Sequence, residues 1–115
     1  MNQQPTLFET GAQNVELERL ALYALGEFQS RGKLLSEREL ALDRLRGAFK
    51  RAAEHFQITE LKDEKIAETL EKLGAKVVKV PSFVAKHPFR VTVRQALAAR
   101  AFEFYRETIS QKAEA

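Results

Sequence analysis

The sequence predicts an α+β fold that is mostly helical, with about four helices and one β-hairpin. Over most of the chain, apolar residues recur at three- and four-residue spacing, which is typical of amphipathic helices. Between residues 78 and 93 the spacing changes to two, as it does in strands. With 115 residues, of which 44% are hydrophobic and 30% charged, the chain fits one folded domain.

The composition also excludes several classes of protein. The chain has no cysteine, so disulfides, thiolate metal sites and cysteine nucleophiles are ruled out. It has no apolar run long enough to span a bilayer. The first five residues, Met-Asn-Gln-Gln-Pro, lack the charged and apolar regions of a signal peptide. We therefore expect a cytoplasmic protein without a membrane partner.

The N-terminal part divides into a tail and a first helix. Residues 1–13 are polar, include one proline and one glycine, and show no sustained period, which predicts a flexible tail before a single domain at 14–115. Asn14 is placed to cap the first helix and Gly32 to end it. The apolar stripe of this helix contains Leu17, Leu20, Ala21, Ala24, Leu25 and Phe28.

Two further helices are predicted before the hairpin. Ser36 and Glu39 have the spacing of a capping box, which opens a second helix that runs to Phe56. The pattern leaves open whether the helix at 36–56 is unbroken. Asp63 opens a third helix, which ends near Gly74. The stripes of the two helices contain Leu42, Leu45, Phe49, Ala52, Ala53 and Phe56, and Ile66, Ala67, Leu70 and Leu73.

The hairpin and the last helix complete the prediction. At 78–80 the two valines are expected to face inward and Lys79 outward, because side chains alternate along a strand. At 91–93 both valines are expected to face inward, with the arginine on either side facing outward. A loop near 82–88 joins the strands, and a C-terminal helix with a wide apolar band follows at 94–111.

Charge is distributed unevenly around this hairpin. The whole chain is only +3, yet residues 72–102 contain seven basic residues and no acidic one. Such a stretch is typical of a surface that binds phosphates, although lysines also protect an edge hairpin against aggregation. The candidate nucleic-acid contacts, which we call the basic strip, are Lys76, Lys79, Lys86, His87, Arg90 and Arg94. His87 would either enter a minor groove or mark the tip of the loop.

Three segments resemble a winged helix-turn-helix domain. AEHFQIT at 53–59 is similar to the end of its second helix and the turn, and IAETLEKLG at 66–74 to its recognition helix. VKVP at 78–81, followed by FVA at 83–85, is similar to the first wing strand of GntR-type regulators. The resemblance implies that the hairpin is a wing that touches DNA. The sequence departs from this family in two respects: the turn is about three residues longer than usual, and the third helix is rich in acids. A generic helical domain with one hairpin is the alternative.

The N-terminal segment contains a second resemblance. Gln4, two variable residues, Leu7 and Phe8 are similar to the peptide by which bacterial replication and repair proteins dock on the sliding clamp. The resemblance implies that these three side chains bind a protein partner. The alternative is that Leu7 and Phe8 fold back on the protein's own core.

These patterns lead to two hypotheses about function. The first is nucleic-acid binding, with duplex DNA favoured, by a transcription or replication accessory factor that forms a homodimer through its C-terminal helix. The second is a protein-interaction module, an adaptor or phage-type accessory protein that binds an acidic protein partner. RNA binding is a third and weaker reading, because Phe83 and Phe89 are expected in the core rather than on a stacking platform.

Enzymatic chemistry has little support in the sequence. His55 and His87 have no partners at metal-ligand spacing, and no glycine-rich phosphate loop is present. We therefore expect no catalytic residue, metal or cofactor.

Overall fold

The computed structural model describes the backbone of residues 3–81, 83 and 88–114, and the side chains of residues 15–81, 83 and 88–111. The described part confirms an α+β fold that is mostly helical. Its elements are α1 (Gln3–Ser30), β1 (Glu39–Ala41), α2 (Arg46–Phe56), α3 (Asp63–Lys72), β2 (Lys76–Lys79), β3 (Phe89–Thr92) and α4 (Gln95–Glu114). Among these residues, no helix combines the length and the apolar character needed to cross a membrane.

The strands form one antiparallel sheet in the order β1-β3-β2. β3 is central, and its Val91 lies between Leu40 of β1 and Val77 of β2. Leu40 and Val91 are buried and Val77 packs against the same core, so this row of three side chains faces the helices. The hairpin of β2 and β3 was predicted, but the third strand was not.

The predicted helix from Ser36 to Phe56 is wrong in its first half. The chain there forms β1 and then a 3-10 turn, Leu42–Leu45, before α2 starts at Arg46. The capping box does not form, because the Ser36 hydroxyl donates to Gln95 Oε1 at 3.2 Å instead. Pairing with β3 buries Leu40, a long-range gain that local helix signals do not reveal.

The first helix is longer than the apolar pattern predicted. α1 begins at Gln3 rather than at Asn14, so its backbone includes most of the segment assigned to a tail. Pro5 is compatible with this start, since the first-turn N–H groups have no partner within the helix. At the other end, Gly32 follows α1 with φ of 81°, as expected for a left-handed stop.

α1 is the central element of the domain, because it packs against α2, α3 and α4. Its closest approach is to α4 at Gly26, where an added Cβ would overlap the Ala101 carbonyl oxygen and Tyr105 Cβ. A hydrogen bond supports the same interface, since Gln29 Nε2 donates to the carbonyl oxygen of Ala98 at 2.8 Å. Much of the apolar band of α4 is therefore used inside one chain, and the homodimer stays a prediction.

A buried ion pair joins α1 to α2. Glu27 is only 7% exposed, and the Arg51 guanidinium donates to both of its carboxylate oxygens, with Nη2 at 2.8 Å from Oε1. Arg31 Nε lies 3.2 Å from the same carboxylate. Burial raises the pKa of Glu27, but the two arginines lower it by more, so the pKa lies below its ordinary value of 4.5.

Gly26→Ala tests the α1–α4 contact. The added methyl group meets backbone that cannot move without separating the helices, so we expect the free energy of unfolding to fall by about 1–3 kcal/mol. Urea denaturation followed by circular dichroism measures the change. Gly47→Ala in α2 is the control, because its new Cβ meets no backbone and only Arg51 Nη1, at 3.3 Å. Glu27 holds the Arg51 guanidinium through Nε and Nη2, so the small shift that the new methyl group requires offsets the gain of about 0.5–1 kcal/mol that alanine brings to a helix. We expect little net change in this variant; equal losses in both would contradict the contact.

Glu27→Gln tests the buried ion pair. Since Arg51 is 40% exposed and partly screened, we expect a loss of about 1–2 kcal/mol at pH 7. A lowered pKa means that the ionised carboxylate stabilises the fold above pH 4.5 and that this contribution disappears as the pH falls through the folded-state pKa. The stability difference from wild type should therefore shrink towards acidic pH. Glu103→Gln, on the exposed side of α4, is the control and should change stability at pH 7 by no more than about 0.5 kcal/mol.

Candidate nucleic-acid interface

The strand register divides the hairpin side chains between the two faces of the sheet. Directly opposite residues of an antiparallel pair point to the same face. Lys76 lies opposite Thr92, and Val78 lies opposite Arg90. These four side chains project away from the helices, and we call the surface they form the outer face.

The two cations of the outer face are close neighbours. Lys76 is exposed and Arg90 is half-buried on the adjacent strand. Their positions are diagonal in the ladder, which places their Cβ atoms roughly 7–8 Å apart. Glu39 of β1 also lies opposite Thr92 on this face, so its position is diagonal to Arg90 as that of Lys76 is. The outer face therefore places two cations and one carboxylate close together, and it is positive by one charge.

The predicted orientation of the first strand is wrong. Val77, not Val78, faces the core, and Val78 is 39% exposed on the outer face. Lys79 lies opposite Phe89, on the side of the sheet that faces the helices. Val77 faces the core because it lies opposite the buried Val91. The predicted register differs by one residue, and such a shift moves every side chain of the strand to the other face.

Lys79 consequently lies near α3. Its Nζ is 5.6 Å from the centre of the Phe89 ring. The two residues line a surface pocket of about 340 Å³ between α3 and the hairpin. Three carboxylates of α3 line the same pocket: Glu64, Glu68 and Glu71. Lys79 therefore lies beside the carboxylates of α3, although residues 72–102 of the sequence contain no acid.

The exposed side of α3 is more acidic than basic. The helix carries four carboxylates and two lysines. Glu68 pairs with both lysines, at 3.3 Å from Lys65 and 3.8 Å from Lys72. Because carboxylates repel phosphates, this helix is a poor candidate for a position deep in a nucleic-acid groove.

Arg94 has a carboxylate partner from outside the hairpin. Its guanidinium donates to Glu37 Oε1 at 3.0 Å, and the Gln95 amide donates to Glu37 Oε2 at 2.7 Å. Glu37 therefore caps the start of α4 and offsets the charge of Arg94. The bond from the Gln95 amide and then that from Arg94 hold the pKa of Glu37 below its ordinary value. No local pattern signals this long-range cap.

Several predicted contacts lie outside the described side chains. Lys86 and His87 fall in the part of the hairpin loop that the structure does not describe. The backbone of Gln4, Leu7 and Phe8 belongs to α1, but their side chains are not described. Docking of that segment on a sliding clamp stays a prediction.

The two aromatic residues of the hairpin, Phe83 and Phe89, differ in their burial. Phe89 packs against the core, as expected. Phe83 was expected in the core too, but it is 89% exposed. The described part of the loop therefore presents one large apolar side chain to solvent, a feature that its sequence context did not predict.

His55 belongs to an aromatic cluster between helices. Its ring stacks on Tyr23 with centroids 4.5 Å apart, and Tyr23 also meets the edges of Phe56 and Tyr105. Within the described residues, no group of three His, Asp or Glu side chains is placed to hold a metal ion.

Comparisons with known proteins return no match, whether with family models, curated proteins or solved structures. Functional inference therefore depends on the geometry of this chain alone.

Glu37→Gln tests the cap on α4. The neutral amide binds the Gln95 N–H and Arg94 less strongly, so we expect faster hydrogen exchange at the first amides of α4 and no change at those of α3. Arg94→Gln should have a smaller effect, because it leaves the Gln95 bond in place. Unchanged exchange in Glu37→Gln would mean that the cap contributes nothing in solution.

Proposed function

We propose that this protein binds duplex DNA through the outer face of its hairpin, in the manner of a winged helix-turn-helix domain. The observation that carries the proposal is the position of Lys76 and Arg90 as neighbours on the open face of a sheet. They belong to residues 72–102, which include seven basic residues and no acidic one, whereas the net charge of the whole chain is only +3. Binding of this kind is salt-dependent and weakly sequence-specific.

The order of elements supports the winged-helix part of the proposal. α2, α3, β2 and β3 follow one another as a helix pair and a wing would. α2 has 11 residues, which removes the mismatch that a continuous helix at 36–56 would have created. The connection between α2 and α3, at 57–62, keeps the longer turn noted in the sequence.

In our proposal the hairpin, rather than α3, makes the main contact. α3 presents Glu64, Glu68 and Glu71, and Lys79 faces them instead of the outer face. Arg94 is paired with Glu37. Of the basic strip, we assign the main phosphate contacts to Lys76 and Arg90, because they share the outer face, with Lys86 and His87 of the loop as further contacts.

The biological setting is also part of the proposal. We propose a cytoplasmic transcription or replication accessory factor, and a homodimer through α4 would place two outer faces on one duplex. The competing function, a protein-interaction module, is favoured by a different surface, formed by the end of α1, the loop that leads to β1, and α4.

Fluorescence anisotropy with a labelled random duplex tests the proposal. Wild type should bind with an affinity whose logarithm falls linearly with the logarithm of salt concentration. Lys76→Ala/Arg90→Ala should weaken binding by about tenfold or more and reduce the salt slope by about 2, since each lost phosphate contact removes about 1. The effect should be the same for unrelated duplex sequences.

Two matched variants identify the surface involved. Lys50→Ala/Arg100→Ala removes two exposed charges from α2 and α4, and it should keep the wild-type salt slope. Glu64→Gln/Glu71→Gln should change affinity less than the outer-face pair does; a large gain would instead mean that α3 lies against the duplex. Absence of wild-type binding at low salt would overturn the proposed function.

A further inference from the structure

A second surface lies where α1 ends and α4 begins. An open pocket of about 420 Å³ is formed by the end of α1, the loop that leads to β1, and α4. Its lining residues are Gln29, Gly32, Lys33, Leu34, Leu35, Ser36, Arg38 and Phe102. This volume is within the range of pockets that hold ligand groups.

The floor of the pocket is apolar and accessible. Phe102 is half-buried, and Leu35 is buried in the core. Leu34 is 70% exposed, so its side chain stands in solvent beside the pocket. Together they form a place where a large apolar side chain of a partner can leave water.

The rim of the pocket is positive. Lys33 and Arg38 are both exposed, and the Arg106 guanidinium lies 5.8 Å from the centre of the Phe102 ring. No carboxylate is among the described residues that line the pocket. Of the acids in adjoining elements, Glu27 is bound by Arg51, and Glu37 is bound by Arg94. Glu39 of β1 and Glu103 and Glu107 of α4 are exposed and do not line the pocket.

The pocket is built on fixed elements. Gln29 ties α1 to α4 through the carbonyl oxygen of Ala98. The Glu37 amide donates to the Val93 carbonyl oxygen at 2.7 Å, and the Ser36 hydroxyl bonds Gln95. The loop that carries Leu34 is therefore anchored at both ends, and the surface is formed before a partner arrives.

We propose that this pocket docks an acidic peptide segment of a protein partner, with one large apolar side chain of the segment held against Leu34 and Phe102. Lys33 and Arg38 beside an apolar centre match carboxylates along an extended chain that also carries an apolar side chain. The exposed side chain of Leu34 favours such a chain over a small anion, because it offers apolar area to bury and no hydrogen bond.

This surface uses different residues from the outer face of the hairpin, although the two lie near each other. Ser36 bridges to Val93, and the preceding residue, Thr92, lies opposite Lys76 on the outer face. The lining of the pocket contains no residue of the outer face. Variants of one surface therefore leave the side chains of the other in place, and the proposed docking does not depend on DNA binding.

The test uses fluorescence anisotropy with a fluorescein-labelled peptide of aspartates interrupted by one Phe and one Leu. Wild type should bind it, and more weakly as salt increases. Leu34→Ser should weaken binding by about tenfold, which corresponds to the loss of one buried aliphatic side chain. Lys33→Gln/Arg38→Gln should weaken binding several-fold and flatten its salt dependence. Leu34 is mostly exposed, so the melting temperature of its variant should match that of wild type.

The controls separate docking at the pocket from nonspecific binding to exposed apolar side chains. Val15→Ser alters another exposed apolar residue, 58% exposed on α1, and should bind the peptide as wild type does. A peptide with Ser in place of Phe and Leu should bind at least about fivefold more weakly, as burial of apolar area predicts. The proposal is overturned if wild type does not bind the peptide, or if the Leu34 variant binds it equally. It is also overturned if oligothymidylate displaces the peptide and binds independently of Leu34.

Discussion

The close approach of α1 and α4 at Gly26 is the constraint on which the rest of the structure depends. No side chain larger than hydrogen fits between Gly26 and the backbone of Ala101, so the two helices meet almost directly. α1 then serves as the surface on which the other helices assemble, and Glu27 fixes α2 to it through Arg51. The sheet packs around the same core through Leu40, Val91 and Val77.

The register of that sheet decides where the charges of the chain lie. Because Val77 pairs with buried Val91, Lys76 and Arg90 share the outer face and Lys79 turns towards α3. Residues 72–102 contain no acid, but folding brings carboxylates from other elements next to them. Glu37 binds Arg94, and the glutamates of α3 lie beside Lys79. Packing therefore places Lys76 and Arg90 together on one face of the hairpin and turns Lys79 away from it.

In our proposal the two surfaces serve different partners. Phosphates require spaced cations, and Lys76 and Arg90 of the outer face are the residues proposed to supply them. A peptide dock requires a preformed apolar pocket with charges at its rim, and the loop between α1 and β1 supplies this with Leu34, Lys33 and Arg38. The two surfaces share no residue, although Thr92 of the outer face adjoins Val93, which Ser36 of the pocket bridges.

The sequence by itself determined the helical character of α1, α3 and α4, the glycine stops and the existence of a hairpin, because periodicity and turn chemistry are local. Tertiary structure decided the rest. β1 has only 3 residues and exists because β3 buries Leu40, so Ser36 and Glu39 signalled a helix that did not form. Of the candidate contacts, the alternation pattern correctly turned Arg90 away from the core. It misjudged the face of Lys79 and could not detect the Glu37–Arg94 pair, since both depend on contacts between residues far apart in the chain.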